Sequence, residues 1–327
     1  MGLQRRGWLA TAARSGGQAG VERDEVRIRD RQHIPLLRVQ IYGRRRLGRG
    51  GGAGPVVPNA HARAPVRVLA PMRNICIVVE YEGTRYSGWQ VQPNAVTVQE
   101  VIEDAIEKLT GYRSRLYVAG RTDAGVHALA QLASFRTESA ADCPTIRDGL
   151  NHLLPQDISI LHAFEADADF TPRGAARGKV YRYLIWNRPA RPAVMRGFVW
   201  HVRPPLDVGS MRRAMECLVG RHDFSAFASS DHGGRVVHVI TRAELAGSSG
   251  GLISLEFEGT GFAKHQVRSM VGTLVEIGLG RRAADEMASI LESRDRRRAG
   301  RTAPARGLFL VRILFDPPLE DYERAVR

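Results

Sequence analysis

Hydrophobic and polar positions fall into two regimes that meet at Met72. From there onward, short apolar runs alternate with amphipathic stretches. Positions 75–81 are apolar and β-branched, which predicts a strand. Positions 97–109 read as a helix: Val98, Val101, Ile102, Ala105, Ile106 and Leu109 share one face. Thr97 and Glu100 form a capping-box pattern ahead of that helix, and Gly111 stops it. Strands are predicted over 115–119, 131–136 and 158–163, with a helix over 145–153. A second set follows the same sense, with strands over 179–187, 236–245, 252–258 and 307–315 and helices over 206–219, 263–277 and 283–292. Short strands mixed with helices in both halves predict an α+β protein. Two similar domains, 72–172 and 173–327, would each carry a mostly antiparallel sheet flanked by helices.

Residues 1–71 show no sustained period. They are rich in Arg and Gly, as in Arg44-Arg45-Arg46 and Gly50-Gly51-Gly52, and bury too little apolar surface to offset ordering entropy. The expectation is a disordered extension ahead of a true start at Met72. Positions 8–13 are too short and too polar for the core of a signal peptide, while the acid-free, Arg-bearing stretch 1–20 leaves a transit peptide as the alternative.

Composition narrows the class. Hydrophobic content of 43% and charged content of 25% suit a soluble globular protein. No apolar run approaches the roughly 20 residues needed to cross a bilayer. The formal charge of +14 is uneven: residues 1–71 hold 14 Arg, no Lys and 4 acidic residues, a net of +10, which leaves +4 for the remainder. Overall charge is therefore weak evidence for a nucleic-acid partner, and the local cluster at Arg281-Arg282, Arg294, Arg296-Arg297-Arg298, Arg301 and Arg306 counts for more. Three separated cysteines, Cys76, Cys143 and Cys217, fit a reducing cytosol rather than a disulfide framework or a thiolate zinc site. Without a G-x-G-x-x-G or a P-loop lysine motif, nucleotide-cofactor folds lose their main support.

The chemistry concentrates in Ala119-Gly120-Arg121-Thr122-Asp123-Ala124-Gly125-Val126-His127-Ala128. A strand ending in so tight a turn presents a side chain at a cleft. Asp123 there reads as a nucleophile or base, with Arg121 near enough to hold it ionised. Considered alone, an aspartate beside glycines reads first as a turn or cap residue. His127 lacks the second ligand of a metal site.

Six segments, in order, resemble the tRNA pseudouridine synthase A family across the whole body from Met72. They are the 119–128 motif, Glu80-Tyr81-Glu82-Gly83-Thr84-Arg85-Tyr86-Ser87-Gly88-Trp89-Gln90, Lys179-Val180-Tyr181-Arg182-Tyr183, Asp223-Phe224-Ser225-Ala226-Phe227, Val267-Arg268-Ser269-Met270-Val271-Gly272 and Gly307-Leu308-Phe309-Leu310. The resemblance implies the pseudouridine synthase fold, with its cleft between the two halves. It also implies isomerisation of uridine at positions 38–40 in the tRNA anticodon stem-loop, where N1–C1′ breaks and C1′ joins C5. The target base must leave its stack to react.

On that resemblance Asp123 is the catalytic carboxylate, and Arg121 takes the place of the extruded base. Tyr181 stacks on the uracil, Arg268 pairs with Asp123, and Leu308 packs beside it. Arg85, Arg173, Lys264 and His265 are expected at the RNA. The family pattern further implies a cytoplasmic homodimer with tRNA as partner, no membrane, no metal and no cofactor. Trp89 and Tyr86 read equally as RNA-stacking or buried aromatics, and the arginines over 294–301 read as a phosphate-binding face or a solvated helix end. Two departures stand out: Ser230–Gly234 fits no motif, and Lys264-His265 places a basic pair beside the site. A non-catalytic RNA-binding protein on this scaffold is the alternative, against which stand Asp123, Arg121, Tyr181 and Arg268 together. A glycosidase would ordinarily need two carboxylates.

Overall fold

A computed structural model describes residues 71–231, 233–247 and 250–326. The Arg/Gly-rich stretch before Pro71, and the expectation of disorder attached to it, lie outside the described residues. The chain runs β1 (Arg73–Tyr81), α1 (Val98–Thr110), β2 (Tyr117–Val118), β3 (His127–Thr137), α2 (Cys143–Leu153) and β4 (Ile158–Ala166). It continues through α3 (Pro172–Ala175), β5 (Ala176–Trp186), β6 (Trp200–His201), α4 (Val208–Glu216), β7 (Gly220–Asp223), β8 (Val237–Gly247) and β9 (Leu252–Gly259). It closes with α5 (Gln266–Gly278), α6 (Glu286–Ser293), β10 (Leu308–Phe315) and α7 (Glu320–Val326).

The strands form one sheet in the order β4-β1-β3-β10-β5-β9-β8-β7, with β2 beside β3 and β6 beside β5. Every pairing is antiparallel except β3–β10 and β5–β6. The mixed α+β expectation therefore holds. The sheet crosses residue 172 without a break: strands from before and after it meet at β3–β10, where only Phe309–His127 and Leu310–Ala128 are in register. Beyond them the seam is held by a side chain. Tyr322 of α7, fully buried, accepts from the Ile313 N–H and donates to the Ala130 carbonyl, both at 2.7 Å. One hydroxyl thus satisfies two buried backbone groups that have lost their ladder partners.

Helix α1 follows its sequence pattern, with Val98, Ile102, Ala105 and Ile106 buried and Gly111 in the left-handed region at its end. Thr97 caps it by accepting from the Glu100 N–H at 3.4 Å. The same helix buries two polar residues that the apolar stripe did not reveal. Gln99 donates to the Glu103 carboxylate at 2.7 Å, and that oxygen also accepts the Leu116 N–H at 2.8 Å. This bond takes Leu116 out of strand pairing, so the strand predicted over 115–119 shrinks to Tyr117–Val118. It also anchors α1 to the chain entering the 119–128 motif.

Candidate active site

The segment between β2 and β3 is clamped from behind. Tyr81 at the end of β1 shares a 2.7 Å hydrogen bond with the Thr122 hydroxyl, and Gln131 donates to the Gly120 carbonyl at 2.5 Å. The 82–90 segment lies on the turn itself: the Trp89 N–H donates to the Thr122 carbonyl and the Gly125 N–H to the Tyr86 carbonyl. Gly88, at φ +90°, makes this approach feasible, because a Cβ there would lie 2.7 Å from the Thr122 oxygen. Two motifs far apart in sequence thereby become one rigid support for Asp123.

Across the cleft, α5 aims its first turn at that carboxylate. Arg268 Nη1 donates to Asp123 Oδ2 at 3.2 Å, and its Nε donates to the Ala303 carbonyl at 2.8 Å, which fixes the guanidinium plane. His265, at φ +65° ahead of the helix, places Nε2 3.7 Å from the same oxygen. Burial lowers the His265 pKa; Asp123 opposes that, while Arg268 and Lys264 add to it. The helix N-terminus adds a favourable field for an anion. Asp123 Oδ1 accepts no hydrogen bond among the described residues, and the side chain remains 23% exposed.

The pairing expected between Arg121 and Asp123 is absent: Arg121 makes no ion pair among the described residues, and Arg268 takes that part. Arg121 instead lies exposed on the cleft wall with Arg173, likewise unpaired among the described residues. Tyr181 lines the cleft from β5, with Phe262 edge-on at 5.2 Å; burial, reinforced by Tyr81 and Asp123, raises its pKa. Leu308 opens β10 beside it. Lys264 reaches the rim and is paired with Asp231 at 2.8 Å. Asp123, Arg121, Tyr181, Arg268, Leu308, Arg173, Lys264 and His265 all line a single cleft of ≈ 1200 Å³.

Arg85 is not among them. Its Nε bonds Asp157 at 2.7 Å, and Tyr86 holds the other oxygen of that carboxylate. Trp89 and Tyr86 are buried, so they are core aromatics. His127 is also buried, accepting from the Gly83 N–H through Nδ1 and stacking on Phe309 at 4.8 Å. After α6, Arg294 pairs with Asp223, Arg296 bonds nearby carbonyls and Arg301 lies over the Trp200 ring, while Arg297 pairs with Asp295 and is exposed. Sequence reading missed Lys179, Phe262 and Gln266, which line the cleft. Alternation on β5 carries the signal for the first, since Lys179 stands two residues before Tyr181 and shares its face. Among the described residues, no three His, Cys, Asp or Glu side chains gather as a metal ligand set. No helix there is long and apolar enough to cross a membrane.

Residues 77–173 and 214–316 match the family described as tRNA pseudouridine synthase. The "tRNA pseudouridine synthase A" of Myxococcus xanthus is 46% identical over 75% of this chain and 92% of its own length. Proteins of that name from Pelobacter propionicus and Acetivibrio thermocellus are 46% and 47% identical, over 75% of this chain and all of theirs. This chain belongs to the tRNA pseudouridine synthase family, a family of isomerases.

Proposed function

We propose that the protein isomerises uridine to pseudouridine at positions 38–40 in the anticodon stem-loop of tRNA, with Asp123 as nucleophile or base. The observation that carries this reading is the Asp123 carboxylate. Arg268 pairs with one of its oxygens, and the other stays open on a cleft of ≈ 1200 Å³. That volume exceeds the roughly 300–1,000 Å³ of drug-sized ligand sites, which suits an everted nucleotide with its neighbours. An oxygen free of protein donors can attack C1′ or remove a sugar proton, while Arg268 holds the other in place.

Arg121 and Arg173 supply unpaired charge at the wall. A neighbouring pocket that shares Arg121 and Arg173 with the cleft, and is also lined by Arg115 and Tyr117, offers cations and an exposed ring to the flanking strand. Tyr181 provides a stacking face and Leu308 an apolar edge for the uracil. The enzyme works in the cytoplasm as a homodimer, without metal or coenzyme.

Incubation with an unmodified tRNA transcript, followed by mapping of modified positions, tests this reading. Pseudouridine is expected within 38–40. Pseudouridine only elsewhere in the molecule would contradict the site preference, and none at all would contradict the reaction. Sedimentation at the mass of two chains is expected for the free protein.

A further inference from the structure

Lys179 differs from the other cations of the cleft. Arg268 meets Asp123, while Arg121 and Arg173 stand in water. The Lys179 side chain is largely withdrawn from solvent, and among the described residues it has no hydrogen bond or ion pair. Burial, helped by Arg173, lowers its pKa. Its stem lies over the backbone of Gly120: a Cβ there would sit 2.6 Å from Lys179 Cε and 2.9 Å from Nζ. The ammonium is thus fixed near the residue that leads into Arg121 and Asp123, on the same face of β5 as Tyr181. A desolvated cation without a partner destabilises the free protein. It becomes useful when an anion forms beside it.

The isomerisation proposed above, on which this inference rests, creates such an anion. When N1–C1′ breaks, the bonding electron pair leaves with N1, and the uracil carries negative charge spread over N1 and its carbonyl oxygens. C1′ is meanwhile satisfied by Asp123 or by loss of a sugar proton to it. The charge disappears when C5 bonds C1′ as Asp123 leaves C1′ with its electron pair, or returns the sugar proton it took; the C5 proton is then lost and N1 is protonated. We propose that the Lys179 ammonium donates to a carbonyl oxygen of the detached uracil and holds this transient charge, keeping its own proton throughout. A preorganised donor in a dry site acts most strongly on charge that develops during reaction. The exposed Arg121 and Arg173 are better placed for the phosphates.

The test combines Lys179→Met and Gly120→Ala with single-turnover release of tritium from C5-labelled tRNA. It also measures tRNA affinity at several salt concentrations and thermal unfolding. Lys179→Met is expected to slow release about 10²–10³-fold, as removal of a transition-state donor does. Affinity should stay within about three-fold and the salt slope should be unchanged, with an unfolding temperature no lower than wild type. Gly120→Ala, whose Cβ displaces the ammonium, should slow release at least about ten-fold in the native background and less than about two-fold beside Lys179→Met. Normal release with weaker binding and a salt slope reduced by about one would make Lys179 a phosphate contact and overturn the proposal. An unchanged rate, or a loss of rate that tracks a lowered unfolding temperature, would overturn it as well. If Lys179→Met fails to fold, Gly120→Ala decides alone: a normal rate overturns the role. Absence of release by the wild-type protein would instead overturn the isomerase reading beneath it.

Discussion

Asp223, at the end of β7, spends its carboxylate on the protein. It accepts from the Ser225 hydroxyl and N–H, from the Val236 N–H and from Arg235 at 3.0 Å, and Arg294 approaches to 3.3 Å. Its side chain is 8% exposed. Burial pushes its pKa up, but bonds from Ser225 and Arg235 and from the Ser225 and Val236 N–H groups outweigh burial and leave it at about 2. Asp123 also faces an arginine, yet one oxygen carries the whole contact and the other faces open space. Both carboxylates are held by basic groups. Spare acceptor capacity in a cleft separates the carboxylate proposed to react from the one that ties β7 to its surroundings.

The sharpest break of this contrast is an exchange of consequences. Asp123→Asn should cut the rate about 10⁴-fold or more, measured as single-turnover product, with unfolding little changed. Arg268→Gln should slow the reaction about 10²-fold, because the carboxylate loses the donor that orients it. Steady-state kinetics would show this in kcat more than in KM. Asp223→Ala should do the reverse, costing about 2–3 kcal/mol in urea unfolding while leaving the rate near normal. Should Asp223→Ala abolish activity at full stability, the distinction drawn here fails.

The smallest effect concerns acid. The folded pKa of Asp223 lies below its unfolded value of about 3.9, so its contribution is fully present above that value. It is lost as pH falls through about 2. The stability difference between wild type and Asp223→Asn should therefore narrow between about pH 4 and pH 2. A difference that stays constant across that window would show that the bonds to Asp223 do not depend on its charge.

The 119–128 motif was legible as a local pattern, whereas Tyr181 and Arg268 stood out only through the family resemblance. The 119–128 motif, Tyr181 on β5 and Arg268 on α5 were all picked out, and the structure brings them to one cleft. What escaped depends on contacts that no local pattern records. Arg85, expected at RNA, lies outside the cleft and pairs with Asp157, 72 residues away. Nearness in sequence pointed to Arg121 as the partner of Asp123, but the pair is made by Arg268, 145 residues away, which only the family resemblance implied. The hydrophobic period of α1 gave its buried apolar face, whereas Glu103 is buried because Leu116 and Gln99 donate to it. Tyr322 lies in a short helix outside every predicted element, and its hydroxyl spans a gap that exists only once β3 and β10 have paired.

One open carboxylate oxygen is proposed to drive the reaction, and tritium at uracil C5 reports on it directly. With C5-labelled tRNA in single turnover, the native protein should release label as C5 bonds C1′. Asp123→Asn should bind the same tRNA within about three-fold and release none above background. Release at a native rate by Asp123→Asn would contradict the account.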